Sequence, residues 1–204
     1  MKKTWEISPK SVFLVLFIVC FLAIGSAILF YGSNFQLLYY PFSYSGATLT
    51  KDNLPNLISY YLFTAGMVLS GIVMLFLNVF YINHKPKKIL KIIFTASGAI
   101  GFIITAFSPI NIYHKMHVLG SWLAVFSLWM IAMVYLVEVR NKTKITYFIF
   151  LHFILQIPMI IYAITFFLLI NPLSFLMQKI SMFTLFLVLY LSAPKFEEEA
   201  DLLD

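Results

Sequence analysis

The chain has 204 residues, 62% of them hydrophobic and 11% charged, with a mean hydropathy of +0.94 and a formal net charge of +6. A soluble domain carries about twice that share of charged residues, so composition excludes one. The basic residues sit in short segments beside apolar runs, where they orient a membrane protein and meet anionic headgroups. That placement excludes nucleic acid as a partner and makes membrane lipids the expected one.

Six spans follow in chain order, each about long enough to cross a ~30 Å hydrocarbon layer as a helix. They are Val12 to Gly32, Leu57 to Ile82, Ile89 to Pro109, Val118 to Glu138, Ile145 to Ile170 and Leu173 to Ala193. The first exceeds the apolar core of a signal peptide and lacks a small-residue cleavage site, so it reads as a retained helix. Its lone Cys20 forms no intramolecular disulfide. Asn171 and Pro172 separate the last two spans, because proline disfavours helical geometry in the residue before it. The expected fold is all-α, a polytopic bundle of six transmembrane helices. Residues 1–196 form one membrane domain, and 197–204 form an acidic, disordered tail.

Eleven of the fourteen Lys and Arg residues fall on one side: Lys2, Lys3, Lys10, Lys85, Lys87, Lys88, Lys91, Arg140, Lys142, Lys144 and Lys195. Lys51, Lys115 and Lys179 fall on the other. Positive-inside bias then puts both termini in the cytoplasm, N-in and C-in, as expected for a multi-pass protein of the plasma membrane. The outer segment from Ser33 to Pro55 carries Phe35, Tyr39, Tyr40, Phe42 and Tyr44, aromatics suited to the membrane interface. It is expected to fold over the outer end of the bundle.

Small residues mark where helices approach closely in lipid. Such positions are Ala23 and Ala27, Gly66 with Ser70 and Gly71, Ser97 with Gly101 and Thr105, and Gly120 with Ala124. The last two spans lack such stripes, so the first four form the tight part of the bundle and the last two are more lipid-facing. Pro158 breaks the hydrogen-bond ladder of the fifth span. Gln156 and His152 beside it read as interhelical hydrogen-bonding groups.

No Asp or Glu occupies the centre of a span, which argues against a proton-coupled transporter. The polar constellation lies on the outer face. Ser43, Ser45, Gly46 and Asp52 in the long loop join Asn111, His114 and His117 in the third turn as the candidate binding residues. A zinc site built on His114 and His117 would need Asp52 as third ligand and has no H-E-x-x-H pattern, so no metal is expected. A Ser-His-Asp set from Ser43 or Ser45, a histidine and Asp52 is chemically conceivable, but G-x-S-x-G is absent. The four histidines do not pair at one depth across the bundle, which excludes bis-histidine haem, and no cofactor is expected.

Two segments resemble the prokaryotic DUF nine-nine-eight membrane family, and more loosely the eukaryotic FRAG/DRAM/Sfk-type proteins. One is Phe42-Ser43-Tyr44-Ser45-Gly46, followed by Pro55 and the Gly66 to Gly71 helix. The other is Gly98-Ala99-Ile100-Gly101, then Phe107-Ser108-Pro109, His114 and His117. The resemblance implies six helices and an outer site whose motif residues are Ser43, Gly46, Pro109 and His114. Tyr44 stands where the family often has an acidic residue, which weakens a charged catalytic site. Some eukaryotic relatives are tied to lipid-anchor remodelling or membrane-lipid organisation. The leading expectation is a non-enzymatic protein that binds a lipid headgroup or a membrane-protein partner in an outer pocket. An outer-face lipid hydrolase or transferase and a small-molecule channel or uniporter are the alternatives.

Overall fold

In a computed structural model, which describes residues 8–82, 88–140 and 142–193, the first helix starts where Ser8 and Pro9 place it. The Ser8 hydroxyl accepts from the Ser11 amide at 3.2 Å, and Pro9 supplies a preset first turn. Six helices follow: α1 (Pro9–Leu29), α2 (Leu57–Ile82), α3 (Lys88–Phe107), α4 (His114–Val139), α5 (Ile145–Phe167) and α6 (Leu173–Ser192). All six are long and apolar enough to cross a membrane. The fold is therefore an all-α bundle of six membrane-spanning helices. The expected tail at 197–204, with Lys2, Lys3, His84, Lys85, Lys87 and Lys195, lies outside the described residues.

Successive helices run antiparallel, joined by short connections except between α1 and α2, where the long loop intervenes. Helices α1 to α4 pack in sequence, and α6 closes the ring against α4 and α1. The Lys10 ammonium sits over the Tyr190 ring, 4.5 Å from its centroid, so the first turn of α1 lies beside the last turn of α6. That side, with Arg140, Lys142 and Lys144, is the basic end of the bundle, and the segment between α1 and α2 covers the opposite, long-loop end. Helix α5 is peripheral. Only 17% of its most apolar window is buried, against 44% for α3 and α4.

The small-residue stripes meet one another. A Cβ on Gly120 would lie 2.8 Å from the Thr105 amide nitrogen, and one on Gly101 would meet the Ala124 backbone. Gly66 faces Ala23, and Ser70 hydrogen-bonds Cys20 across the same α1–α2 seam at 3.1 Å. Because the Ser70 proton goes to the Gly66 carbonyl, the Cys20 thiol is the donor in that pair. Two expectations need correction. Helix α6 is no lipid-facing bystander: Ser174, Ser181, Leu185, Val188, Leu189 and Ser192 are all buried. Its serines recur at intervals of seven and eleven, both helical repeats, which a search for four-residue spacing passes over.

Lys91 is the other correction. It does not stand in a basic loop but is 4% exposed inside α3, with Nζ 3.0 Å from Glu138 on α4. The ammonium also lies over the rings of Tyr81 and Tyr135, whose hydroxyls hydrogen-bond each other. A buried charge needs a partner, and Glu138, in the last turn of α4, is near enough to reach inward and supply it.

The α3–α4 seam sets the packing, so Gly120→Ala should lower the thermal midpoint in detergent by the equivalent of about 1–3 kcal/mol of overpacking. Gly25→Ala adds a methyl where nothing lies within 4 Å and should leave the midpoint unchanged or slightly higher. Equal effects of the two substitutions would contradict this packing.

Candidate functional site

The segment from Phe30 to Asn56 has to satisfy its own backbone at the end of a membrane bundle. It does so around Asn56, which is 2% exposed. The Asn56 side-chain oxygen accepts from the Gly32 amide at 3.0 Å, and its nitrogen donates to the Ala47 carbonyl at 2.8 Å and the Ser45 carbonyl at 3.4 Å. The Asn56 amide donates to the Thr48 carbonyl, closing the loop on itself. Ser59 Oγ lies 2.6 Å from the carbonyl oxygens of both Ala27 and Ser45, so its single proton serves the two in turn. Pro41 leads into a single 3-10 turn, Phe42–Gly46, held on its inner side by these bonds.

The aromatics of the loop form a chain rather than a scatter. Tyr31, Phe35, Tyr40 and Tyr44 pack ring to ring at centroid distances of 5.1 to 5.8 Å, and Lys51 lies over Tyr44 at 4.4 Å. The Tyr31 hydroxyl accepts from the Lys51 amide, and burial pushes this phenol above its ordinary pKa, so it stays protonated. Two further ties cross to other helices. Asn111 pairs with Thr48 through both the amide and the hydroxyl, at 3.0 and 2.9 Å. On α6, Gln178 accepts from the Phe42 amide at 3.1 Å, and Lys179 donates to the Tyr40 carbonyl at 2.8 Å.

Beneath the 3-10 turn lies a cavity of about 330 Å³, inside the long-loop half of the bundle. Its apolar wall comes from Ile24, Phe63, Met67, Phe102, Val118, Trp122, Phe166 and Met182, on all six helices. Polar groups enter from Ser43, Thr105, His114, His117, Ser121, Tyr162 and Gln178. The α5 side is closed at this level by Trp122, which stacks on Tyr162 and Phe167. That α5 turn ends with Leu169 at φ 55°, in the left-handed region usually taken by glycine. Its bonds from Leu169 N to Phe166 O and from Ile170 N to Thr165 O match a helix-terminating Schellman pattern.

The residues singled out from sequence divide into two groups here. Ser43, His114 and His117 line the cavity. Ser45, Gly46 and Asn111 build its cover: the Ser45 hydroxyl closes its own turn on the Phe42 carbonyl, and Gly46 lies flat on the Phe63 ring, where a side chain would collide. Asp52 is exposed in the tight turn at Thr50 and lines no part of the cavity. Among the described residues no third His, Cys, Asp or Glu joins His114 and His117 as a metal-binding group. His117 is 1% exposed, and its Nδ1 lies 2.6 Å from the Ser108 carbonyl. Among the described residues no hydrogen bond pairs Ser43 or Ser45 with either histidine, and the Ser45 proton goes to the Phe42 carbonyl. Gln156 is likewise occupied, accepting from Trp129 at 3.2 Å and donating to the Met133 sulfur, so it acts as interhelical glue.

Asn56, Gln178 and Tyr162 escaped the sequence reading. Asparagine directly before an apolar run signals a helix cap, and here that side chain turns to the loop instead. Gln178 and Lys179 are polar residues within an apolar span, the usual mark of interhelical bonding. The chain matches no family model, no curated protein and no solved structure. Its fold defines the class: a multi-pass integral membrane protein.

Asn56→Ala strands the Gly32 amide and the Ala47 carbonyl, at about 1–3 kcal/mol for each buried unpaired group. Hydrogen exchange should then rise at least tenfold in residues 44–56, while Asp52→Asn should leave it unchanged. Equal protection in wild type and Asn56→Ala would remove Asn56 as the organising residue.

Proposed function

We propose that the protein binds a membrane amphiphile in the cavity under the 3-10 turn, with that end of the bundle facing outward and both termini in the cytoplasm. One observation carries the reading: a largely apolar cavity of about 330 Å³ with a few convergent polar side chains, capped by an ordered loop. Sites for small ligands have this composition and begin at about this size. The position within a bundle of spanning helices favours a ligand that arrives from the membrane. Binding is favoured over turnover because, among the described residues, no hydrogen bond joins Ser43 or Ser45 to His114 or His117, and the Ser45 hydroxyl is held by the Phe42 carbonyl.

The orientation follows from charge. With Lys91 withdrawn into the bundle, the basic end still holds most of the Lys and Arg, which stay on the cytoplasmic side during insertion. In a Cys20→Ala background, Asp52→Cys should react with a membrane-impermeant maleimide on intact cells, and Arg140→Cys only after permeabilisation. The opposite pattern would invert the topology.

Val118 lines the cavity from α4, so Val118→Trp should fill it. Solvent extraction of purified wild type should release one amphiphile class in stoichiometric amount, and the filled variant, at unchanged helix content, should release none above the bulk-lipid background. Equal release from both proteins would refute an amphiphile in this cavity.

A further inference from the structure

His117 carries a polar atom that the protein itself does not use. Its Nδ1 faces the Ser108 carbonyl at 2.6 Å, and a carbonyl only accepts, so Nδ1 holds the ring proton. In the neutral ring Nε2 then presents a lone pair. That nitrogen is buried and has no hydrogen-bond partner among the described residues. The ring cannot swing away to find one, because Ser108 holds one edge and Phe63 stacks on its face with an interplanar angle of 27°.

Ser121 lies four residues further along α4, on the same face and in the same cavity wall. Because the Thr105 proton is directed to the Gly101 carbonyl at 2.9 Å, Ser121 is the donor in its long 3.4 Å contact with Thr105, a weak bond that a ligand oxygen can replace. The wall therefore offers an acceptor and a donor one helical turn apart. A ligand hydroxyl, which donates and accepts, matches both. Among the described residues no Lys, Arg, Asp or Glu lines the cavity, and Lys179, beside the Phe42 ring, donates to the Tyr40 and Phe175 carbonyls, so a phosphate or carboxylate would be buried there without a counter-charge in the wall.

We propose that His117 and Ser121 bind the hydroxyl of an uncharged amphiphile, such as a glyceride or long-chain alcohol, and thereby select it over lipids with anionic headgroups. Nε2 of His117 accepts the hydroxyl proton, Ser121 donates to the hydroxyl oxygen, and the alkyl chain lies along Met67, Phe102 and Met182. This selectivity rests on the reading of the cavity as an amphiphile site.

The test uses the full chain in phosphatidylcholine nanodiscs, with terminally brominated dodecanol, its methyl ether and the matching carboxylate as quenchers of tryptophan fluorescence. Trp122 lines the cavity, and Trp122→Phe identifies its share of the signal. After correction for partitioning, the alcohol should half-quench Trp122 at a concentration about tenfold below the ether, the scale of one buried hydrogen bond. The carboxylate should be weaker than the alcohol, and His117→Phe should bring the alcohol to the level of the ether. Equal binding of alcohol and ether by wild type would overturn the hydroxyl assignment while leaving the amphiphile site intact. Failure of all three to quench Trp122 would overturn both. If His117→Phe does not fold, the wild-type comparison of alcohol with ether still decides.

Discussion

Every polar backbone group at the edge of a bilayer needs a partner, and in this protein one side chain answers that demand for a whole loop. Asn56 gathers the Gly32 amide and the Ser45 and Ala47 carbonyls while its own backbone closes on Thr48. The 3-10 turn at Phe42–Gly46 is therefore held as a firm cover rather than a mobile strap. The cavity beneath it exists because this cover stands on α2, on the α3–α4 turn through Asn111, and on α6 through Gln178 and Lys179.

The bundle has different chemistry at its two ends. At the basic end, Lys91 pairs with Oε2 of Glu138 and lies over Tyr81 and Tyr135. At the long-loop end Nε2 of His117, on a residue of the cavity wall, is buried with no hydrogen-bond partner among the described residues. Interhelical packing accounts for the first arrangement: Lys91 and Glu138 hold each other, and the unpartnered Oε1 of Glu138 and Oδ1 of Asn78 belong to residues outside the cavity wall. It does not account for the second, which is why the ligand is sought there.

The spans were legible because hydropathy and length constrain a membrane helix so strongly, and Asn171-Pro172 marked the break between α5 and α6. The stripes at Gly101 and Gly120 were legible too, because small residues at four-residue spacing have one main use in lipid. Lys91 was not, because a lysine near a helix end snorkels outward as readily as it turns inward, and only the reach of Glu138 on another helix decides. The site was half legible. His114, His117 and Ser43 reach the cavity, but Asp52, chosen for its charge, stays in an exposed turn, and Asn56 was hidden because its side chain acts across the loop. Which polar groups share a depth is set by helix register, and a single sequence carries no signal for that between distant spans.

A membrane amphiphile bound in this cavity has to enter the space between Trp122 and Met182. A diazirine-bearing long-chain alcohol, photolysed in a bilayer containing the protein and mapped by peptide mass spectrometry, tests that most directly. The expected adducts fall on Trp122, Met67 and Met182, inside the cavity, and are lost when unlabelled alcohol competes. Adducts confined to lipid-facing side chains such as Phe153 and Ile160, indifferent to competitor, would contradict an amphiphile site in this cavity.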